Sequence, residues 1–192
     1  MPTAYQLYLQ NTVSDVAAHK KMMESAQAAA CFTTDIPSQT GQQYELGRFI
    51  TEPTFPNGLL LRSVTFTVFW VCDGPTGYPC RLLVGLNRYS PDTQVFEQIV
   101  IADLGSQIVP LNVLLCAAPV PSGLGPLNVV SGLATTFRVV TAALPAQRFQ
   151  LNLQVRDERA APSSHSKIAL FVGNQTRLTA TFDDPETYLA FI

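Results

Sequence analysis

The stretch "RFQLNLQVR", residues 148–156, alternates without a break. Phe149, Leu151, Leu153 and Val155 fall on one side of an extended chain, and Arg148, Gln150, Asn152, Gln154 and Arg156 on the other. Successive side chains of a strand point to opposite faces, so a strict period of two reads as a strand with one face in a core and one in water. The same period recurs earlier, where Val64, Phe66, Val68 and Trp70 oppose Ser63, Thr65 and Thr67 until Phe69 and Val71 cover the second face. Residues 81–88 and 94–101 read as two strands joined by the turn chemistry of "YSPDT". Further strands are expected at 107–116, 134–142, 167–172 and 176–182, the last two separated by "GNQ". With an edge-like "ELGRFIT" near residue 48, the total is roughly eight or nine, the spacing of a sandwich or barrel. No helix alternates with these strands after residue 44, which excludes a doubly wound α/β fold. Long loops at 117–128 and 157–166 suit Greek-key crossovers. The expected fold is all-β, a jelly-roll-like antiparallel β-sandwich of about eight strands.

The N-terminal segment departs from this period. Residues 14–31, "SDVAAHKKMMESAQAAAC", hold no Gly or Pro and are rich in strong helix formers. Ser14 is placed to cap a helix and Asp15 to meet the positive end of its dipole. Val16, Met23, Ala26 and Ala30 recur at helical spacing as a thin stripe, the face of an arm that reaches a neighbour. A polar, Pro- and Gly-bearing connector follows over 33–43. The organisation expected is an arm of helix plus connector over 1–43 and a β-sandwich domain over 44–192.

Hydrophobic residues make up 47% of the chain and charged residues 14%, a balance that folds rather than staying disordered. The formal charge is −2 and the basic residues are scattered, so the electrostatic footprint of a nucleic-acid binder is missing. So sparse a charge fits either a surface largely occupied by neighbouring subunits or partners, or a β surface coated with Thr, Gln and Asn. The first residues show no basic region followed by an apolar run, and no apolar run is long enough to span a bilayer. The expectation is synthesis in the cytoplasm, no classical signal peptide and no membrane partner.

Four cysteines are present, at positions 31, 72, 80 and 116. Cys72 and Cys80 bracket "DGPTGYP" between two strands, too far apart for a zinc knuckle or a thioredoxin-like pair. Two readings remain, a disulfide closing the hairpin or two thiols, and both are structural. Asp73 and Tyr78 in this loop, with Pro121 and Leu124 in the second Pro/Gly-rich loop, are candidate contact residues. His165 lies among Ser163, Ser164 and Ser166 with Asp157 upstream, but no nucleophile turn of the G-x-S-x-G kind accompanies it, and a solvated loop is the expectation. Asp183, Asp184 and Glu186 lack the spacing of a calcium loop and read as a turn around Pro185. Asn174-Gln175-Thr176 matches the N-glycosylation tripeptide, without consequence where no signal precedes it. Phe66, Trp70, Phe96, Phe137, Phe149, Phe171 and Phe182 are core candidates. "SGLGP" leads into Pro126 and not into a helix, so neither a phosphate-binding loop nor any other cofactor signal is present.

A helical arm, a Pro/Gly connector, about eight strands, few lysines and a Thr/Gln/Pro-rich character together resemble viral structural proteins of the jelly-roll type. That resemblance implies a capsid, spike or decoration subunit of a virion, a homo-oligomer with no catalysis, whose partners are its own copies and other shell proteins. The chain lacks the Arg-rich arm by which many small coat proteins package a genome. The second reading is a carbohydrate- or receptor-binding module acting through its end loops.

Overall fold

The structure is a computed structural model and describes residues 3–37, 41–52, 59–73, 77–109, 132–143, 147–160, 166–174 and 176–183. Eleven strands run through them: β1 (Thr3–Val13), β2 (Lys20–Met23), β3 (Ala30–Ile36), β4 (Gln43–Thr51), β5 (Leu59–Cys72), β6 (Tyr78–Ser90), β7 (Val95–Val109), β8 (Gly132–Ala143), β9 (Arg148–Asp157), β10 (Ser166–Val172) and β11 (Arg177–Asp183). Ten of them form one hydrogen-bonded path, β3-β10-β5-β11-β1-β2-β4-β9-β6-β7, and β8 pairs with β5 beside it. The sheet is mixed, because β2 and β4 run parallel, with Lys20 opposite Phe49 and Met22 opposite Thr51.

This order corrects the sequence reading in two respects. The strands join in a single mixed path, where a purely antiparallel two-layer jelly roll was expected. The helix over 14–31 is absent: the segment supplies a turn, β2, a connection and the start of β3. Helix propensity is a weak prior that tertiary pairing overrides, and the Ala-rich run 24–29 is exposed, with no apolar stripe to hold a helix in place. Met22 lies instead beside Leu9 across the β1–β2 pair, and both are fully buried. Ser14 does use its hydroxyl as a cap, accepting a hydrogen bond from the Val16 amide at 3.2 Å, but the turn it closes returns the chain as a strand. His19 completes that turn, its carbonyl accepting from Ser14 N at 2.9 Å, and Ala18 takes φ +62°.

The inner faces of strands distant in the path meet in one core. Val64, Phe66, Val68, Trp70 and Cys72 of β5 join Leu82, Val84 and Leu86 of β6 and Phe149, Leu151, Leu153 and Val155 of β9 in a single cluster. Contacts of β5 with β7 and of β3 with β4 show that the sheet curls over itself. The turn after β10 locks β1 into the sheet. Gly173 has φ +88°, and a side chain there would place its Cβ 2.2 Å from the Ala28 carbonyl oxygen. Its amide donates to Leu9 O at 2.7 Å, and the buried Thr176 hydroxyl accepts from Phe69 N at 3.0 Å. The threonine of the glycosylation tripeptide is thus a structural residue.

Candidate functional site

Directly paired residues of neighbouring strands share a face, so the register writes out the outer face of β9, β6 and β7 as a series of rungs. From one end these are Arg148–Tyr89–Phe96, Gln150–Asn87–Gln98, Asn152–Gly85–Ile101, Gln154–Leu83–Asp103 and Arg156–Arg81–Ser106. On the far side of β9, Arg48 and Glu45 of β4 stand opposite Asn152 and Gln154. The sequence marks this face as polar. The structure divides it into a covered end, a pocket and a charged end.

The 14–19 turn covers the first end. Arg148 is buried there at 3% exposure, its Nη1 donating to Asp15 Oδ1 at 2.8 Å and Oδ2 at 3.0 Å. Its Nε donates to the Thr51 carbonyl and its Nη2 to Ser14 Oγ at 3.4 Å. Hydrogen bonds from Arg148 and then Ser14 hold the Asp15 carboxyl below the usual carboxylate range. His19 is also buried, stacked on Phe96 with ring centroids 5.1 Å apart. Its Nδ1 lies 2.8 Å from Ala17 O and its Nε2 3.2 Å from Gln150 Nε2. Those partners fix the tautomer: Nδ1 donates to the carbonyl, and Nε2 accepts from the amide. Gln150 in turn accepts from Asn87 Nδ2. Both imidazole nitrogens are therefore committed, and neither faces a hydroxyl or thiol as a catalytic base would.

Beyond this relay lies a pocket of about 150 Å³ lined by Gly85, Asn87, Gln98, Ile101, Asn152 and Gln154. Gly85 is its floor. Four carboxamides and one aliphatic side chain surround it, and no charged group is among them. The Asn152 Oδ1 atom is buried with no hydrogen-bond partner, an unusual condition for a buried polar atom.

At the far end, Arg81 spans Asp103 Oδ2 at 2.9 Å and Glu158 Oε1 at 3.0 Å. Hydrogen bonding to Asp103 and Glu158 raises the Arg81 pKa, and the hydrogen bond from Arg81 holds Asp103 below its ordinary value. Glu158 is lowered by a hydrogen bond from Ser106 and then by Arg81. Behind this cluster the buried Asp157 is paired with Arg159, whose Nε lies 2.9 Å from Oδ2. Arg159 also sits over the Tyr78 ring, 5.1 Å from its centroid.

The residues singled out from sequence fall as follows. Cys72 and Cys80 are both buried and keep separate thiols, so the hairpin disulfide is not the state of this structure, whereas Cys31 is disulfide-bonded. Cys72 Sγ donates to Val109 O at 3.3 Å, and burial followed by the nearby Glu158 carboxylate pushes the Cys80 thiol far up. Tyr78 belongs to the core at 1% exposure and is no contact residue; burial and then the Asp157 charge raise its pKa. Asp73 is half-buried and ties β5 to β10, its Oδ1 accepting from Lys167 N at 2.6 Å. Pro121, Leu124, Cys116 and His165 lie outside the described residues, as do Asp184 and Glu186. Asp157, the acid considered beside His165, is engaged with Arg159. Val16 and Met23 are half-buried and Ala26 is exposed, on a turn, a strand and a connection, so they form no common helical face. Phe96, expected in the core, is 39% exposed on the outer face. Among the described residues no group of three His, Cys, Asp or Glu side chains is placed to hold a metal ion.

No protein-family model matches the chain, and no curated protein does. Solved structures do share its fold. An aminopeptidase from the marine sediment archaeon Thaumarchaeota archaeon superposes with a TM-score of 0.59 at 12% identity, over 95% of this chain and 37% of that one. A CocE/NonD family hydrolase from Staphylococcus aureus gives 0.58 at 8% identity, over 95% and 37%. An α-amino acid ester hydrolase gives 0.53 at 12% identity, over 94% and 36%. The chain thus spans a little over a third of the length of these hydrolases, and at such identities the likeness establishes the fold. Infectious bursal disease virus also matches, but at a TM-score of 0.38, too weak to sustain the resemblance to viral shells. These findings overturn two expectations, that the chain is a viral coat subunit and that it is not an enzyme, because the solved structures whose fold it shares are hydrolases. The layout shared with shell proteins, many short strands joined by Pro/Gly loops, is a property of the β architecture, which unrelated functions occupy.

Proposed function

We propose that the chain works as the β domain of a hydrolase that cleaves an ester or amide bond, together with a catalytic unit carrying the nucleophile. The observation that carries this reading is the superposition of nearly the whole chain on about a third of each of three hydrolases. The local chemistry supports the division of labour: the one described histidine, His19, has both ring nitrogens engaged, and the only hydroxyl in its turn, that of Ser14, donates to Asp15. The same reading takes the curled sheet as a jelly-roll-type sandwich, supported by the single core between strands distant in the path.

The test compares the purified chain with the protein isolated from its native source along with whatever stays bound to it. Both are assayed on p-nitrophenyl acetate, amino-acid methyl esters and aminoacyl p-nitroanilides. The expected result is turnover by the native preparation and none by the chain alone. Turnover by the chain alone would place the nucleophile within it and end the division of labour. A native preparation inert on all three substrate classes would end the hydrolase reading.

A further inference from the structure

The pocket over Gly85 is a site that neither the fold likeness nor the buried Arg148 cluster explains. Its rim is electrically quiet, since the nearest charges on the same face are compensated within the chain. Arg48 is paired with Glu45 at 2.7 Å on one side, and Arg81 with Asp103 at 2.9 Å on the other. An anion or cation gains little there. What the pocket offers is donors and acceptors in equal number, because each carboxamide brings an oxygen and an NH2 group. Asn87 is oriented by its bond to Gln150, and the carboxamides of Gln98, Asn152 and Gln154 complete the polar lining. At about 30 Å³ per water, 150 Å³ holds about five waters or one small neutral group. Ile101, 55% exposed, supplies an apolar wall.

We infer that this pocket binds a peptide group bearing an aliphatic side chain, as in an N-acylated amino-acid amide. A peptide group presents one donor and one acceptor about as far apart as those of a carboxamide, so it can bond two of the lining amides at once. The side chain beside it meets Ile101. No aromatic ring lines the pocket, so the C–H face of a sugar ring has no platform there. The inference is independent of the hydrolase reading, because it concerns binding and requires no turnover.

The experiment is an NMR titration of the 15N-labelled chain with N-acetyl-leucinamide, run in parallel with N-acetyl-leucine and with glucose. The expected result is saturable shifts at the side-chain amides of Gln98, Asn152 and Gln154 and at the Gly85 backbone. Replacing one lining carboxamide by an apolar side chain in Asn152→Leu weakens binding about tenfold. Gly85→Ala raises the floor by a methyl group whose nearest atom, Asn152 Cβ, lies at an ordinary 3.5 Å, so this variant folds and should still weaken binding. Its spectrum away from the pocket serves as the folding control should Asn152→Leu fail to fold. Shifts unaffected by Gly85→Ala would refute the site. Binding of glucose in place of the amide would make it a polyol site, and tighter binding of the carboxylate would show that the flanking arginines govern it. Either result overturns the assignment.

Discussion

The two faces of β9 are built on opposite plans. On the inner face Phe149, Leu151, Leu153 and Val155 are buried to the same degree, none more than 3% exposed. On the outer face burial falls along the strand: Arg148 and Gln150 are as buried as the core, Asn152 and Gln154 half-buried, and Arg156 exposed. The inner gradient is flat because every rung meets the same curled sheet. The outer one is steep because a single turn, residues 14–19, covers one end only. One strand thus carries a uniform apolar face that holds the fold together and a graded polar face whose middle is left open as a pocket.

The largest effects should come from the inner face. Leu151 is fully buried in the core cluster, and Leu151→Ala should cost about 3 kcal/mol in chemical denaturation, the sum of lost transfer energy and a cavity. Arg148→Ala should come next, at about 2 kcal/mol. It strips hydrogen-bond partners from Thr51 O and Ser14 Oγ, while Asp15, 70% exposed at its side chain, recovers water. An Arg148→Ala variant as stable as the parent would mean that the covered end is ornament, and the comparison between the faces would fail.

How much of this was legible in the sequence differs between the same two faces. The inner face of β9 could be read from the period alone, as could that of β5, where Val64, Phe66, Val68 and Trp70 are all buried. The period alone reads the outer face as uniformly solvated, whereas Arg148 and Gln150 are buried. Arg148 meets Asp15 across 133 positions of sequence, and no local pattern encodes that contact. The turn supplying Asp15 lay inside a segment whose composition favours a helix, so the error in secondary structure hid the cap as well. The alternation of "YQLYLQ" over residues 5–10, with Leu7 and Leu9 in the core, was the available signal for β1. The pocket also had one: Gly85 sits in the middle of a strand, where glycine weakens the strand and marks a place for close approach. The separate thiols of Cys72 and Cys80 had none, since spacing permits a bond but does not require it.

Acid titration sharpens the comparison at the covered end. A carboxylate whose pKa is lowered in the folded state contributes stability that is complete above its unfolded pKa, about 3.9, and is lost as pH falls through the folded value. Asp15 is such a group by virtue of Arg148. Asp103 and Glu158 shift in the same direction, so the wild-type curve alone would mix the two ends of the face. The difference in Tm between wild type and Asp15→Asn isolates the first. It should be constant from pH 7 to about pH 4.5 and close below about pH 4 as the wild-type carboxyl takes up its proton. A gap that persists unchanged to pH 2 would show that the Asp15–Arg148 contact owes nothing to charge.

The smallest effect has a sign that differs between the two faces. A glycine within a strand loses more chain entropy on folding than alanine, so Gly→Ala is favourable by about 0.5 kcal/mol where the added methyl group fits. At Gly85, on the open outer face, the new Cβ meets nothing closer than 3.5 Å, and a small rise in Tm is expected. At Gly47 of β4 the new Cβ would lie 3.0 Å from the ring of Phe49, which is fully buried and cannot retreat, so overpacking outweighs the entropy and Tm should fall. Calorimetry on the two variants checks both signs. A rise at both positions would mean that the ring of Phe49 gives way and that the core is as forgiving as the pocket. A fall at both would mean that the space over Gly85 is already filled in solution, and the slack that makes the outer face a binding surface would be gone.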